Sequence, residues 1–260
     1  MKTATLPRAL LGRFALAGLA GSLAILVRQT NAVWLALVCL VAFVDAPEPR
    51  PLAAWLRRTW TALLGLAAFA GFLLWNGGVA VGGRGAFAAG LHTGNVFLFL
   101  ALYFVLFLPA NLYALRRRGE RFSHPLPWAL VAGAYALFLL TFRVDHPFNK
   151  FEGFLRNEML SAVGGSFVLK NAFFVLVAAG LASLYVTRLR RPSLYLVYPL
   201  ALATLLPLRL IEHRYGLAAY VLLLVFREDD PPPVEAAGVA LSMVLAGSVV
   251  YVLAQGRWML

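Results

Sequence analysis

Four polar segments interrupt an otherwise apolar sequence, and their side chains could bind a charged, hydroxyl-rich ligand. They are RQTN at 28–31, NGGVAVGGRGAFAAGLH at 76–92, VDHPFNKFEGFLRNE at 144–158 and IEHRYG at 211–216. Groups that ionise at a membrane edge are costly to keep there, so they usually face a cavity or a partner. These segments therefore predict a polar site, with headgroup anchoring of single helices as the structural alternative.

Three arginines in these segments suit a phosphate, because a guanidinium forms planar, charge-assisted hydrogen bonds with it. They are Arg28, Arg84 and Arg214. A clamp of this kind needs the planar fork, so we expect Arg28→Lys to insert normally but to bind the phosphate less well. The glycines between 77 and 85 let backbone amides approach an anion, although such glycines also serve as bends or close-packing positions.

Amide and hydroxyl side chains in the same segments suit sugar hydroxyls. They are Gln29, Thr30, Asn31 and Asn76. Thr30 and Asn31 directly precede an apolar run, where such residues also commonly cap helices. Sugar binding and capping therefore both stay open for RQTN.

A carboxylate is needed if the site removes a proton from an acceptor hydroxyl. Asp145 is the first candidate for this general base, followed by Glu152 and Glu212. Each acid also has a structural alternative: Asp145 could cap its loop, Glu152 could pair with Lys150 or Arg156, and Glu212 could pair with Arg209 or Arg214. No metal or cofactor is predicted, because the possible ligands have no ligand spacing within one helix; metal dependence stays open. Those possible ligands are His92, Asp145, His146, Glu212 and His213.

The elements that position these residues are predicted to be membrane helices. The chain has 260 residues, 62% of them hydrophobic, with a mean hydropathy of +0.80, far more apolar than a soluble domain. Lipid requires internally satisfied backbones, so the apolar segments are predicted to be helices. The predicted spans, of which the second and eighth are short enough to be half-helices or re-entrant, are 9–27, 32–45, 59–75, 95–114, 126–143, 171–187, 194–210, 215–227 and 236–254.

Basic residues are concentrated in every second connection between these spans. By the positive-inside rule this set is cytoplasmic, and the four polar segments then lie on the opposite side. The short clusters alternate with apolar segments, so the net charge of +12 does not indicate a nucleic-acid-binding face. We find no nucleotide-binding motif, and the lone Cys39 is predicted to be a packing residue.

The polar segments resemble the motifs of the alpha-1,2-glucosyltransferase family that adds the terminal glucose to the lipid-linked oligosaccharide of N-glycosylation. RQTN with Trp34 is similar to the first motif, and Asn76, Gly77, Gly78, Gly82, Arg84 and His92 fit the second. In the second motif, Gly83 and Phe87 stand where the family has an Asp and a His. His146-Pro147-Phe148 resembles the third motif, with Glu152 roughly where an acid follows, and Glu212, Arg214 and Tyr215 resemble the fourth.

The resemblance covers nearly the whole chain but only the later half of the family's length. It implies an all-α integral membrane protein of about nine transmembrane helices, the C-terminal part of a GT-C-like glycosyltransferase. Residues 1–260 are expected to form a single polytopic domain without the family's N-terminal catalytic module. The substrate-binding residues it implies are Arg28, Gln29, Asn31, Asn76, Arg84, His92, His146, Glu212, Arg214 and Tyr215.

The implied function is transfer of a hexose from a polyprenyl-phosphate sugar to a lipid-linked or other acceptor. Two alternatives stay open: a non-catalytic subunit working with a separate N-terminal half, and a lipid-sugar flippase or transporter. The expected partners are membrane lipid, the polyprenyl-phosphate sugar and that separate subunit, without nucleic acid. The expected location is the bacterial inner membrane or the endoplasmic reticulum, with the site facing the periplasm or lumen.

Overall fold

The structure is a computed structural model that describes residues 8–46, 52–77, 90–152 and 155–255. Within these ranges the chain forms helices and loops, with a single isolated antiparallel bridge between Leu189 and Arg227. The predicted all-α membrane protein is therefore confirmed. Its contacts divide the chain into two compact units, Met1–Ala88 with Arg191–Thr204, and Ala89–Arg190 with Leu205–Leu260. The prediction of a single polytopic domain stays a prediction.

Unit 1 is built on three helices and the start of a fourth. These are α1 (Arg8–Val27), α2 (Asn31–Val44), α3 (Leu52–Asn76) and, later in the chain, α9 (Val197–Leu205), which follows a 3-10 turn at Pro192–Leu196. Small residues let α1 and α3 approach closely: a Cβ at Gly18 would lie 2.7 Å from the Ala62 backbone nitrogen, and a Cβ at Gly65 would overlap Ser22. Cys39 is buried in the core of this unit, as predicted for a packing residue.

Unit 2 contains seven helices joined by short 3-10 turns. They are α4 (Gly94–Leu106), α5 (Leu108–Arg117), α6 (Pro125–Thr141), α7 (Leu155–Gly165), α8 (Phe167–Val186), α10 (Leu217–Phe226) and α11 (Pro232–Ala254). An aromatic cluster holds α4 against α6: the Phe97 and Phe138 ring centroids lie 5.0 Å apart edge-on, and Phe138 stacks on Phe142 at 4.8 Å. This contact fixes the start of α4, which follows one polar segment, and the end of α6, which precedes another.

The predicted span 95–114 is not one straight helix. The chain bends by 86° between α4 and α5, with Phe107 at the break and Pro109 in the first turn of α5. Proline lacks the amide that would continue the helix ladder, which is the reason for a break at this point. The buried Asn111 side chain donates hydrogen bonds to the carbonyls of Tyr103 (3.0 Å) and Phe104 (3.2 Å) at the end of α4, where the Tyr103 carbonyl also accepts from the Phe107 amide at 3.2 Å.

The prediction of about nine transmembrane helices is not supported. Among the described residues, three helices are long and apolar enough to cross a membrane, α3, α8 and α11, or four if α4 and α5 count as one bent span. The other predicted spans do contain apolar helices, but these are shorter. At 1.5 Å per residue, the 14 residues of α2 and the 10 of α10 extend well under the roughly 30 Å of a bilayer core.

Candidate functional site

In unit 2, the polar segments after α6 and before α10 are tied together by buried asparagines. Asn95, in the first turn of α4, donates to the carbonyls of Leu208 and Leu210 at 2.8 Å each, and its carbonyl accepts from the Glu212 amide at 2.8 Å. These three bonds hold residues 208–212 against the start of α4. Buried backbone groups require such partners, because the segment is not part of a helix or sheet.

Asn149 forms a second tie to the same segment. Its side chain is fully buried, and it exchanges two hydrogen bonds with the backbone of Ile211, at 2.9 and 3.0 Å. The 3-10 turn Pro147–Asn149 is thereby fixed beside Ile211 and Glu212. Sequence reasoning did not identify Asn95 or Asn149. The signal for Asn95 is a single amide at the start of an apolar run, where a buried polar group needs a hydrogen-bond partner; Asn149 has no signal beyond its place in a polar segment.

Glu212 joins the motif before α10 to α7 through Arg156, and it also pairs with Arg214 of its own motif. Its carboxylate accepts from Arg156 Nη1 at 2.7 Å and from Arg214 Nε at 2.6 Å, and its side chain is only 7% exposed. Arg156 is also mostly buried and donates through Nε to Asn157 at 3.1 Å. Two charge-assisted hydrogen bonds occupy both carboxylate oxygens of Glu212, so this side chain holds the loops together.

Asn157 extends this network to the turn after α6. Its amide donates to the carbonyls of Phe148 at 2.8 Å and Phe151 at 2.9 Å, so the 148–151 segment is closed over α7. His146 is buried, and its Nδ1 accepts a hydrogen bond from the Phe148 amide at 3.2 Å, which caps the turn. Glu152 lies exposed at the end of the segment.

A polar cavity of about 260 Å³ opens beside these loops. It lies between the segment before α4, the end of α6 and residues 209–211, and the His92 amide donates to the Leu206 carbonyl at 2.7 Å nearby. Its lining residues are Leu91, His92, Thr93, Gly94, Leu140, Thr141, Arg143, Asp145, Arg209 and Ile211. The cavity thus combines two arginines, an imidazole, two hydroxyls and a carboxylate.

Among the described residues, Asp145 is the only carboxylate that lines this cavity, and it forms an ion pair with Arg209. The distances are 3.4 Å from Arg209 Nε to Oδ1 and 3.1 Å from Nη2 to Oδ2, and the two side chains are 46% and 50% exposed. The Arg209 hydrogen bond holds the pKa of the Asp145 carboxyl below its ordinary value, partial burial opposes this, and nearby His92 acts in the same direction as Arg209. Pairs this exposed contribute less than about 1 kcal/mol to stability. Asp145 is therefore ionised at neutral pH but held by a weak, ligand-accessible pair.

Arg143 and the two threonines of the cavity were not identified from the sequence. Arg143 is exposed, and among the described residues it has no hydrogen-bond or ion-pair partner. The Thr93 and Thr141 hydroxyls lie 2.7 Å apart and join the start of α4 to the end of α6. The signal for Arg143 was its place two residues before Asp145, directly after an apolar run, the same context that drew attention to Arg28.

A larger cavity of about 360 Å³ in unit 2 is mostly apolar and lies between α5, α10 and α11. Its charged residues, Arg227 and Glu235, pair with each other at 2.9 Å. Those two groups bond to each other, whereas the cavity at Asp145 presents Arg143, which has no hydrogen-bond or ion-pair partner in the part of the chain that the structure describes. A sugar phosphate is better matched by the smaller, polar cavity.

The RQTN segment lies in unit 1, where it forms the tight turn between α1 and α2. The Asn31 amide donates to the Ala24 carbonyl at 2.8 Å, and the Thr30 side chain makes no capping bond to α2. Asn31 therefore closes the C-terminal end of α1, which is one of the two roles that the sequence left open. Arg28 and Gln29 are partly buried in the turn.

The second motif is only partly described. Asn76 ends α3, and Gly77 follows with φ of 66°, the left-handed conformation that glycine supplies at helix C-termini. Arg84, with residues 78–89, lies outside the described residues. His92, the last residue of the second motif, lines the cavity at Asp145. Tyr215, which belongs to the fourth motif, donates its backbone amide to the Glu212 carbonyl at 3.3 Å.

The possible metal ligands do not gather into one group. Within the described parts of the chain, no three His, Cys, Asp or Glu side chains lie close enough to hold a metal ion together. His213, partly buried, has its pKa lowered by that burial and by Arg156 and Arg214, while Glu212 opposes the shift. Its surroundings disfavour a positive charge on the ring.

The fold and the cavity define an all-helical membrane protein with a charged, sugar-sized cavity among its inter-helical loops. Residues 49–225 match the DIE2/ALG10 family, and the chain belongs to this family. This is the alpha-1,2-glucosyltransferase family that the motifs resemble, and membership implies a membrane glycosyltransferase-like function. The second, third and fourth motifs lie within the matched range, whereas RQTN precedes it. No curated protein and no solved structure matches the chain.

Proposed function

We propose that the chain transfers a hexose from a polyprenyl-phosphate sugar to a lipid-linked acceptor, and that the reaction takes place in the cavity at Asp145. The observation that carries this proposal is the composition of the cavity wall. One carboxylate faces the same space as two guanidiniums and two hydroxyls. Transfer from a sugar phosphate needs this combination, a base for the acceptor and cations for the leaving phosphate.

The transfer step follows from these groups. The acceptor oxygen attacks the anomeric carbon while its proton passes to Asp145. The bond between the anomeric carbon and the phosphate oxygen breaks, and its electron pair stays on the polyprenyl phosphate. Arg143 and Arg209 stabilise the charge that develops on that phosphate. His92 and the Thr93 hydroxyl are available to sugar hydroxyls on the same wall.

Arg28, Gln29, Asn31, Asn76 and Arg84 remain proposed donor-binding residues on the family resemblance. The capping bond from Asn31 to Ala24 favours a structural role for that side chain. His146, Glu212, Arg214 and Tyr215 are proposed to act by shaping the loops around the cavity. The Glu212 ion pairs support this role, because both carboxylate oxygens already accept a hydrogen bond from an arginine.

We further propose that the cavity faces the periplasm or lumen. Arginines follow α5 and precede α6 on the predicted cytoplasmic side, while Lys150 is exposed in the loop beside the cavity. In a Cys39→Ala background expressed in a bacterial inner membrane, Lys150→Cys should react with a membrane-impermeant thiol reagent in intact cells. Glu120→Cys, also exposed, should react only after permeabilisation; the reverse pattern would place the cavity on the cytoplasmic side.

The alternatives of a non-catalytic subunit and a flippase gain no specific support. No feature of the described ranges indicates a separate subunit. A flippase needs a polar path through the bilayer, and the charged side chains of the cavity lie at helix ends and in loops. Transfer therefore remains the function that the geometry favours.

The test is transfer of radiolabelled hexose from a polyprenyl-phosphate hexose to a lipid acceptor by the purified full chain. The wild type should form labelled product, and Asp145→Asn should lower the rate by about a hundredfold or more. Asp229→Asn is the matched control, because Asp229 also pairs with an arginine, Arg190 at 2.6 Å, on an exposed surface outside the cavity. Equal rates for wild type and Asp145→Asn would overturn the assignment of the base.

A further inference from the structure

We propose that the donor phosphate activates the base: it takes Arg209 from Asp145, so the carboxylate can accept a proton only when the donor is bound. This inference rests on the proposed function and adds an order to it, with the donor binding before the acceptor loses its proton. It assigns Arg209 a role that neither the family match nor the motifs contain.

The first step is that the pair can exchange partners. Arg209 contacts both carboxylate oxygens of Asp145, at 3.1 and 3.4 Å, and both side chains are about half exposed on the cavity wall. The two-point grip that Arg209 makes on a carboxylate is the same geometry in which arginine grips a phosphate. A phosphate in the cavity therefore competes with Asp145 for one guanidinium, at a pair that water already reaches.

The second step is that a neighbouring cation favours the incoming phosphate. Arg143 lines the same cavity without a hydrogen-bond or ion-pair partner among the described residues. Among the described residues, the charged or titratable groups that line the cavity with Asp145 are Arg209, Arg143 and His92, from three different segments. Arg143 supplies a binding charge that need not leave another partner, so the phosphate can enter before the pair opens.

The third step is the charge balance during transfer. The donor is a phosphodiester with one negative charge, and the polyprenyl phosphate that leaves is a monoester with a greater negative charge. Asp145 becomes neutral as it takes the acceptor proton and then attracts Arg209 less. The guanidinium stays with the phosphate product until Asp145 loses its proton to water, after which the pair can reform and release the product.

Glu212, the other of the two acids, cannot exchange its arginines for a phosphate in this way. Both of its oxygens are held by arginines at 2.6 and 2.7 Å, and its side chain is nearly inaccessible. A phosphate that displaced either arginine would leave the buried carboxylate with one partner fewer, which is costly.

The experiment measures binding of a short-chain polyprenyl phosphate to the purified full chain in detergent. Asp145→Asn keeps the side-chain shape but releases Arg209, so it should bind the phosphate about two- to fivefold tighter than wild type. Arg209→Gln should bind at least about tenfold more weakly. The control Asp229→Asn should match the wild type, since it alters an exposed carboxylate–arginine pair elsewhere in unit 2.

A double-mutant cycle separates partner exchange from simple repulsion between Asp145 and the phosphate. If the two compete for Arg209, the gain from Asp145→Asn disappears in the Arg209→Gln background. Persistence of the full gain there, or wild-type affinity in Asp145→Asn, would overturn the inference while leaving the proposed function intact. Failure of the wild type to bind the phosphate at all would instead overturn the proposed function.

Discussion

Two carboxylates in unit 2 meet arginines in opposite ways. Glu212 is 7% exposed and is held by Arg156 and Arg214, whereas Asp145 is 50% exposed and is held by Arg209 alone. A buried charge must have strong partners, because the loss of its hydration is large. An exposed pair gains little and can be exchanged for a ligand. Burial, more than residue type, therefore distinguishes the structural acid from the candidate base.

The largest loss of folding stability should come from removing Glu212, the buried acid. Glu212→Ala leaves Arg156 buried without its partner, so we expect a loss of about 3 to 5 kcal/mol in the free energy of unfolding. Thermal unfolding in detergent measures this, with Glu212→Gln as the conservative variant that retains part of the hydrogen bonding. Wild-type stability in Glu212→Ala would mean that the cluster does not hold the loops.

The second-largest loss of folding stability should come from replacing Asn149, which supports the same loops without carrying a charge. Asn149→Ala removes both hydrogen bonds to Ile211 and leaves that backbone buried, and we expect a loss of about 2 to 3 kcal/mol. Lys150→Ala, at the exposed neighbouring position, should change stability by less than about 0.5 kcal/mol. Equal melting temperatures for the two variants would contradict the role assigned to Asn149.

A smaller stability effect should follow from changing the exposed acid. Asp145→Asn should alter the free energy of unfolding by less than about 1 kcal/mol, because its pair with Arg209 is accessible to water. The same purified Asp145→Asn protein should have lost most of its hexose-transfer activity. A melting temperature as low as that of Glu212→Ala would show that the two acids do not differ as proposed.

The smallest effect should appear as a pH dependence at His213. Its pKa in the folded chain lies below the ordinary value of 6.5 that applies to the unfolded chain. As the pH falls below 6.5, the unfolded chain therefore binds more protons than the folded chain does. Stability from this group is complete above pH 6.5 and declines on acidification. Melting temperatures measured from pH 7.5 to 5.5 should fall less steeply for His213→Gln than for wild type.

The sequence by itself identified the class of the protein and the segments that carry its polar groups. Composition predicted membrane helices, since each of the long apolar runs can satisfy its own backbone in lipid as a helix. The motifs around Asn76, His146 and Glu212 pointed to the family that residues 49–225 match. The packing role of Cys39 was also readable, because a lone thiol within an apolar run has no disulfide partner in the chain.

The number of spans could not be read from hydropathy alone. Hydropathy counts apolar residues, whereas a span also needs an unbroken helix of sufficient length. Pro109 and the bend at Phe107 break one predicted span, and α2 and α10 are too short for a full crossing. The break after α4 is stabilised by the Asn111 side chain, which donates to the last-turn carbonyls of Tyr103 and Phe104.

Only the tertiary structure decided which arginine belongs to which acid. Sequence proximity allowed Glu212 to pair with Arg209 or Arg214, and the pair with Arg214 does form. It did not show that Arg156 pairs with Glu212, or that Arg209 pairs with Asp145, 64 residues away. Ion pairs form between side chains that the packing brings within about 4 Å, whatever their separation along the chain. The loops that Asn95 and Asn149 hold together set these distances, and so they determine which carboxylate is free to meet a ligand.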